Sequence, residues 1–368
     1  MKYITEYRDK ELAKKLVADI AKEARPDRNY RLMEFCGGHT HVISRYGLEG
    51  ILPKNVRMIH GPGCPVCVMP IGRIDSAIEL ALEHGVILCT YADTMRVPAS
   101  KGLSLMKAKA QGGDIRMIYS AADCLDIARA NPDKNVVFFA IGFETTTPAT
   151  AVVLKQAKAE GLKNFFVFCN HVLTPPAMRH ILKNQEKVQI EGFVGPAHVS
   201  TIIGSEPYET FAKDYSKPVV IAGFEPLDML QSILMLIRQI NRGEAEVENE
   251  FTRAVRPKGN MKAIRMMEEV FALRDSFEWR GLGSVPKSAL KLSDAYSDFD
   301  AEKHFNLVYR SVPDNKACEC GAILRGEKQP SDCRAFGTVC TPESPIGSCM
   351  VSSEGACAAY FTYGRHKR

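Results

Sequence analysis

The sequence predicts an α/β fold: two parallel-sheet α/β domains around a cleft, followed by a small cysteine-rich C-terminal domain. Three observations predict it. Short apolar runs alternate with helical periodicity from residue 30 to about residue 240, the pattern of parallel strands covered by helices. Nearly every run ends in a loop bearing Cys, His, Asp or Glu, and ligands of open α/β sheets bind beyond the carboxyl ends of the strands. Half of the twelve cysteines (Cys318, Cys320, Cys333, Cys340, Cys349 and Cys357) crowd into an irregular tail.

The elements follow in order. Residues 11–24 carry Leu12, Leu16 and Ile20 at every fourth position and end before Pro26, so they read as an amphipathic helical arm. Strands are expected over 31–35, 56–59, 86–90 and 115–119, with helices over 73–84 and 122–130. A second cycle places strands over 136–141, 165–169, 192–194 and 219–222, with a helix through 160 and a long one to about 240. Residues 243–250 read as a crossing segment and 260–273 as a helix. Domains are expected over 1–122, 123–242 and 243–368. The last has too little periodic apolar sequence for a large core, and a metal cluster would staple it.

Composition narrows the class. With 45% apolar and 25% charged residues, the 368-residue chain is an ordinary globular protein with material for several cores. A net charge of +5, without basic runs interleaved with aromatics, argues against nucleic acid. No segment approaches the ~20 apolar residues of a membrane span, and residues 1–11 do not read as a secretion signal. Twelve cysteines without such a signal point to the cytoplasm, where thiols serve more often as ligands or catalysts than as structural disulfides.

The organising motif is Gly61-Pro62-Gly63-Cys64-Pro65-Val66-Cys67. Two thiols three residues apart in a stiff loop form either a redox pair or half of a metal site. No second thiol pair lies at zinc-knuckle spacing, which favours exchange in which one thiolate attacks and the other resolves. Cys36 opens Cys36-Gly37-Gly38-His39-Thr40-His41. Ahead of a helix, its thiol is expected to be acidified by the helix N-terminus. It reads as a soft iron ligand or an attacking thiol, with His39 or His41 in support. Asp93 and Arg96 fit either an internal pair or a substrate contact. Glu144, His171, His198 and Glu225 compete with structural roles, and Cys89, Cys124 and Cys169 read as core thiols.

In the tail, wide and irregular spacing suits the separated corners of an iron–sulfur cube better than zinc. The preferred set is Cys318, Cys333, Cys340 and Cys357, with Cys320 and Cys349 either spare or placed just behind the ligands.

These motifs, with Asp93-Thr94-Met95-Arg96-Val97-Pro98 and Gly142-Phe143-Glu144-Thr145-Thr146-Thr147-Pro148, resemble the HypD family of [NiFe]-hydrogenase maturation proteins along essentially the whole chain. The resemblance implies a [4Fe-4S] cluster in the tail and a scaffold that pairs with a HypC-type chaperone. It implies cyanide delivery to a bound iron from a HypE-type partner supplied by HypF-type carbamoylation. The Fe(CN)2CO unit would then pass to the hydrogenase large subunit. It also places the thiols of Cys36, Cys64 and Cys67 near the cleft, the last two able to form a disulfide. On this reading Cys36 ligates the iron, Cys64 and Cys67 exchange electrons with the cluster, and His39 or His41 handles protons. Two rivals stand beside it: a thiol-disulfide oxidoreductase fed by the cluster, and a structural zinc platform.

Overall fold

In a computed structural model, which describes residues 5–184 and 188–364, the parallel strands form two sheets. They are β1 (Tyr30–Glu34), β2 (Val56–His60), β3 (Ile87–Thr90), β4 (Ile115–Met117), β5 (Val136–Gly142), β6 (Phe165–His171), β7 (Gly192–Pro196), β8 (Val219–Ala222) and β9 (Val247–Asn249). The first sheet has the order β2-β1-β7-β8-β9 and the second β4-β3-β5-β6. Every neighbouring pair is parallel. All residues of β5 and β6 are buried, which explains why these strands read as unbroken apolar runs.

The chain completes β1 and β2, builds the whole second sheet, and then returns for β7 to β9. An expected division near residue 122 therefore falls inside the second sheet, between β4 and β5. The segments 1–122, 123–242 and 243–368 each contribute strands or coverings across these sheets. The reason is physical: a strand buried on both faces advertises its burial, but its sequence does not say which neighbour it pairs with.

Counted within its own sheet, the first set of strands has the order 2-1-3-4-5 and the second 2-1-3-4, both doubly wound arrangements. Such sheets have a switch point between their first and third strands, where a crevice opens beyond the carboxyl ends. Here those points lie between β1 and β7 and between β3 and β5. One apolar cluster, including Met33, Leu88, Phe139, Phe193 and Met350, joins both sheets to the tail.

Two expected elements differ. The crossing segment at 243–250 contains β9, an edge strand of the first sheet. The helix expected over 260–273 stops as Met261–Val270, and Phe271–Leu273 pairs antiparallel with Leu290–Leu292. A late-arriving partner strand there wins over helical periodicity. The N-terminal helix, Lys10–Glu23, is capped by Asp9, whose Oδ1 accepts the N–H groups of Glu11 and Leu12 at 2.9 Å. It packs along Pro226–Arg242. Trp279 is buried in the tail's hairpin, its indole N–H donating to Ser288 Oγ at 2.8 Å.

Candidate functional site

Both switch points open on one cavity of about 560 Å³. The first sheet contributes Cys36 and His198, the second Asp93, Thr145 and Thr146, and the tail Ser353 and Glu354. Gly63, Pro65 and Val66 line it from the dithiol loop.

Cys36 precedes the helix Gly37–Arg45 in an extended conformation. Its N–H donates to Glu34 Oε2 at 2.9 Å. Glu34, fully buried at the end of β1, also accepts from the Thr40 hydroxyl and from His60 Nδ1 at 2.8 Å. The parallel register sets Glu34 beside His60. Burial alone would push the His60 pKa down, but the hydrogen bond and charge of Glu34 leave it raised. This buried pair fixes the Cys36 backbone. Sequence reasoning missed it; its signal is one ionisable residue closing each of two adjacent apolar strands.

The expected acidification of Cys36 does not occur. Burial pushes its thiol well up and the Glu354 charge adds to this, outweighing the N–H groups of Gly38 and His39. A thiol in such a place is neutral until a cation takes the proton's position. Glu354 was also missed. It packs over Gly37, where a Cβ would lie 2.4 Å from its own Cβ, and its carboxyl is pushed up by burial and then by Asp93.

The Cys36 and dithiol loops touch. A Cβ on Gly63 would stand 2.4 Å from the Cys36 nitrogen, and Gly37 N–H donates to the Gly63 carbonyl at 3.1 Å. Only a bare backbone permits this approach. Cys64 caps the short helix Pro65–Val68, and its Sγ accepts the Cys67 N–H at 3.3 Å. Both thiols are buried.

Cys67 faces the tail. Its thiol is pushed up by burial and then by contacts with Cys349 and Cys64. Hydrogen bonds from Cys320 and then Cys67 draw the Cys349 thiol down to about 6 against its burial. Cys320 also meets Cys318 and Cys357. Cys340 Sγ accepts the Ile346 N–H at 3.4 Å. Cys333 interacts instead with the Glu319 carboxylate. The structure thus puts Cys320 and Cys349, expected to be spare or just behind the ligands, between the thiols of Cys67, Cys318 and Cys357. Among the described residues no three side chains already form a coordination shell. The bare Gly347 backbone lies directly against two of these sulfurs: a Cβ there would lie 2.3 Å from Cys318 Sγ and 2.6 Å from Cys320 Sγ.

The histidines separate. His39 is fully buried away from the cavity, its Nε2–H donating to the Ala222 carbonyl at 2.9 Å, and burial lowers its pKa. His41 pairs with the Tyr363 hydroxyl at 3.3 Å and lines a neighbouring cavity of about 330 Å³. Phe224 lies between the rings of His39 and His198, with centroids at 5.0 and 4.0 Å. His198 is the histidine that reaches the thiol cavity. Arg96 turns from Asp93 to the carbonyls of Pro342 and Val351, bracing the tail. Glu144 lies behind the cavity wall, accepting the Thr174 N–H at 2.9 Å and its hydroxyl at 3.0 Å; burial pushes its pKa up to about 7. Glu225 pairs with Arg8, and His171 meets Thr150 Oγ1 at 2.9 Å. Cys89, Cys124 and Cys169 are core thiols.

Fold and site together define a two-sheet α/β protein with a thiol in its cleft and a dithiol leading back to a cysteine-rich module. The chain belongs to the HypD family of hydrogenase maturation factors: residues 11–364 match the family model described as "HypD: Hydrogenase formation hypA family". It is 65% identical to the hydrogenase maturation factor HypD of Cupriavidus necator, over 100% of this chain and 98% of that protein. It is 62% identical to the HypD of Azotobacter vinelandii, with the same coverage. Against the HypD of Escherichia coli it is 45% identical over 99% of this chain and 98% of the relative. Among the described residues no helix is long and apolar enough to cross a membrane.

Proposed function

We propose that this chain is the scaffold on which the Fe(CN)2CO unit of [NiFe]-hydrogenase is assembled, in the cytoplasm, together with a HypC-type chaperone. The iron is cargo, and Cys36 is its ligand from this chain. One observation carries the reading: Cys36 is a buried thiol that opens into a cavity shared by two switch points. Iron binding replaces its thiol proton, and cyanide and CO make the iron a soft partner for the thiolate. His198 and the carboxyls of Glu354 and Asp93 face the same cavity and can hold the released proton. The role expected of His39 or His41 therefore passes to them. The second-sheet hydroxyl at Thr145 stands opposite, where it can donate to a cyanide nitrogen, while Thr146 gives its hydroxyl proton to the Phe143 carbonyl at 3.3 Å. Cyanide comes from a HypE-type partner served by a HypF-type one, and the finished unit goes to the hydrogenase large subunit.

The tail suits a [4Fe-4S] cluster in donor chemistry, and the bare Gly347 backbone lets two of its sulfurs lie side by side. Cys318, Cys340 and Cys357 remain candidate ligands with Cys333, and the position of Cys320 makes it a fifth candidate. A bound cluster would supply single electrons. The line of thiols through Cys349, Cys67 and Cys64 favours a second reading, a thiol-disulfide oxidoreductase acting on a protein disulfide.

Infrared spectroscopy and iron analysis of the complex, isolated anaerobically with its small partner, test the choice. Iron–cyanide and CO bands with iron beyond the cluster complement are expected. Cluster iron without those bands would leave the oxidoreductase.

A further inference from the structure

We infer that Arg280 raises the reduction potential of the cluster proposed for the tail, with Asp314 holding part of its charge in check. The inference rests on the [4Fe-4S] reading of the tail, and it adds a residue that no cysteine motif points to.

Arg280 follows the hairpin strand Ser276–Trp279. The turn after it is pressed onto the tail helix Cys320–Leu324. A Cβ on Gly281 would lie 2.7 Å from the Gly321 Cα, and the Gly281 carbonyl accepts from Arg325 Nη1 at 2.5 Å. The Arg280 N–H donates to the carbonyl of Val68, the last residue of the dithiol helix, at 2.8 Å. Arg280 therefore stands where the dithiol helix, the hairpin and the cysteine-rich tail meet.

Its guanidinium is not consumed there. Nε donates to Asp314 Oδ1 at 2.5 Å. Asp314 leads into the Cys318 loop, in which the Cys318 N–H donates to the Asn315 carbonyl at 2.8 Å. Nη1 is buried and, among the described residues, has no hydrogen-bond partner. A buried cationic N–H without an acceptor costs free energy, and a thiolate-bound cluster at Cys318 is the anion that would offset it. The charge of Arg280 reaches that sulfur. Contact with Cys320 and then burial push the Cys318 thiol up, and Arg280 pulls against them. The Arg280 side chain is 2% exposed and that of Asp314 30%, so water screens the acid more than the base and the net field on the sulfur is positive. On the other flank, the Glu319 carboxylate beside Cys333 is tied to Lys328. Reduction adds an electron to a cluster that its thiolates already make anionic, and a buried cation favours that form.

The test uses the full-length chain, purified anaerobically, with its cluster counted by iron and sulfide analysis. It is titrated with dithionite through mediators while the electron paramagnetic resonance of the reduced cluster is read. One electron enters the cluster, and no bond in the chain forms or breaks. A unit charge about 10 Å from a redox centre, at an effective dielectric of about 20, changes a one-electron equilibrium by about tenfold, which is about 59 mV. Arg280→Gln should move the midpoint to more negative potential by that order, and Asp314→Asn should move it the other way. A clasp that only held the tail in place would be broken by either change and would shift both variants alike. Shifts in one direction, or an unmoved midpoint in Arg280→Gln, would overturn the inference. So would an equal shift in Lys316→Gln, whose charge is nearer to Cys318 in sequence but exposed to water. If Arg280→Gln binds no cluster, Asp314→Asn decides: a less negative midpoint supports the inference, and any other result is fatal. Wild type without cluster iron and sulfide removes the tail reading and the inference together. A wild-type cluster with the variant midpoints unmoved rejects the inference alone.

Discussion

The two sheets share the order 2-1-3-4, to which the first adds a fifth edge strand, and they differ in what they deliver. At its switch point the first presents sulfur and imidazole, Cys36 and His198. The second presents oxygen, Asp93, Thr145 and Thr146. The same topology thus places two unlike donor sets on opposite walls of one cavity. Topology chooses where a ligand sits, and the residues closing each strand choose its chemistry. On the proposed reading, one wall would hold a soft metal and the other would hydrogen-bond the diatomic groups on it.

Removing the sulfur wall should have the largest effect. Cys36→Ala is expected to abolish iron–cyanide infrared bands in the purified complex, and undiminished bands would end the asymmetry between the walls. The buried glutamates behind the walls provide the next comparison. Glu34→Gln leaves His60 buried without its counter-charge, and breaking a buried pair costs about 3–5 kcal/mol. Urea unfolding should show this loss. The raised His60 pKa supplies stability below its unfolded value, which disappears as pH rises through the folded value. Glu34→Gln should remove that part of the pH dependence.

Glu144 carries the same sign of pH dependence, but its substitution should act in the opposite direction. Its pKa rises from 4.5 to about 7 through burial, so the folded state binds the extra proton in that window. Stability from this group is complete at low pH and falls as pH rises to about 7, by roughly 3 kcal/mol. Glu144→Gln should flatten that slope and leave the protein the more stable form at pH 8. A destabilisation there like that of Glu34→Gln would show the two glutamates to be alike. The smallest effect is expected on the oxygen wall itself. Asp93→Asn should retain the iron–cyanide bands and shift their frequencies, and loss of the bands would make Asp93 as necessary as Cys36.

The sequence announced strands where Val136 to Ile141 and Val219 to Ala222 run unbroken, because burial on both faces leaves a continuous apolar record. It did not announce that Leu32 pairs with Gly192, since parallel pairing leaves no local mark. Cys36, Cys64 and Cys67 stood out through their Gly/Pro settings, and the contact of their loops through Gly63 became visible only in three dimensions. Glu354 was hidden because an acid in a Ser/Gly-rich tail looks solvated. Cys320 was hidden because spacing along a chain does not report which sulfur ends in the middle. His39 attracted attention by motif, yet its ring serves the carbonyl of Ala222.

The interrupted first sheet also imposes an order of manufacture. During synthesis β1 and β2 leave the ribosome early, but the strands that complete their sheet come only after the second sheet has been made. Ser348, which clasps Cys67, comes later still. A nascent chain therefore has no finished pocket to offer, and the metal loading proposed above would belong to the fully translated molecule.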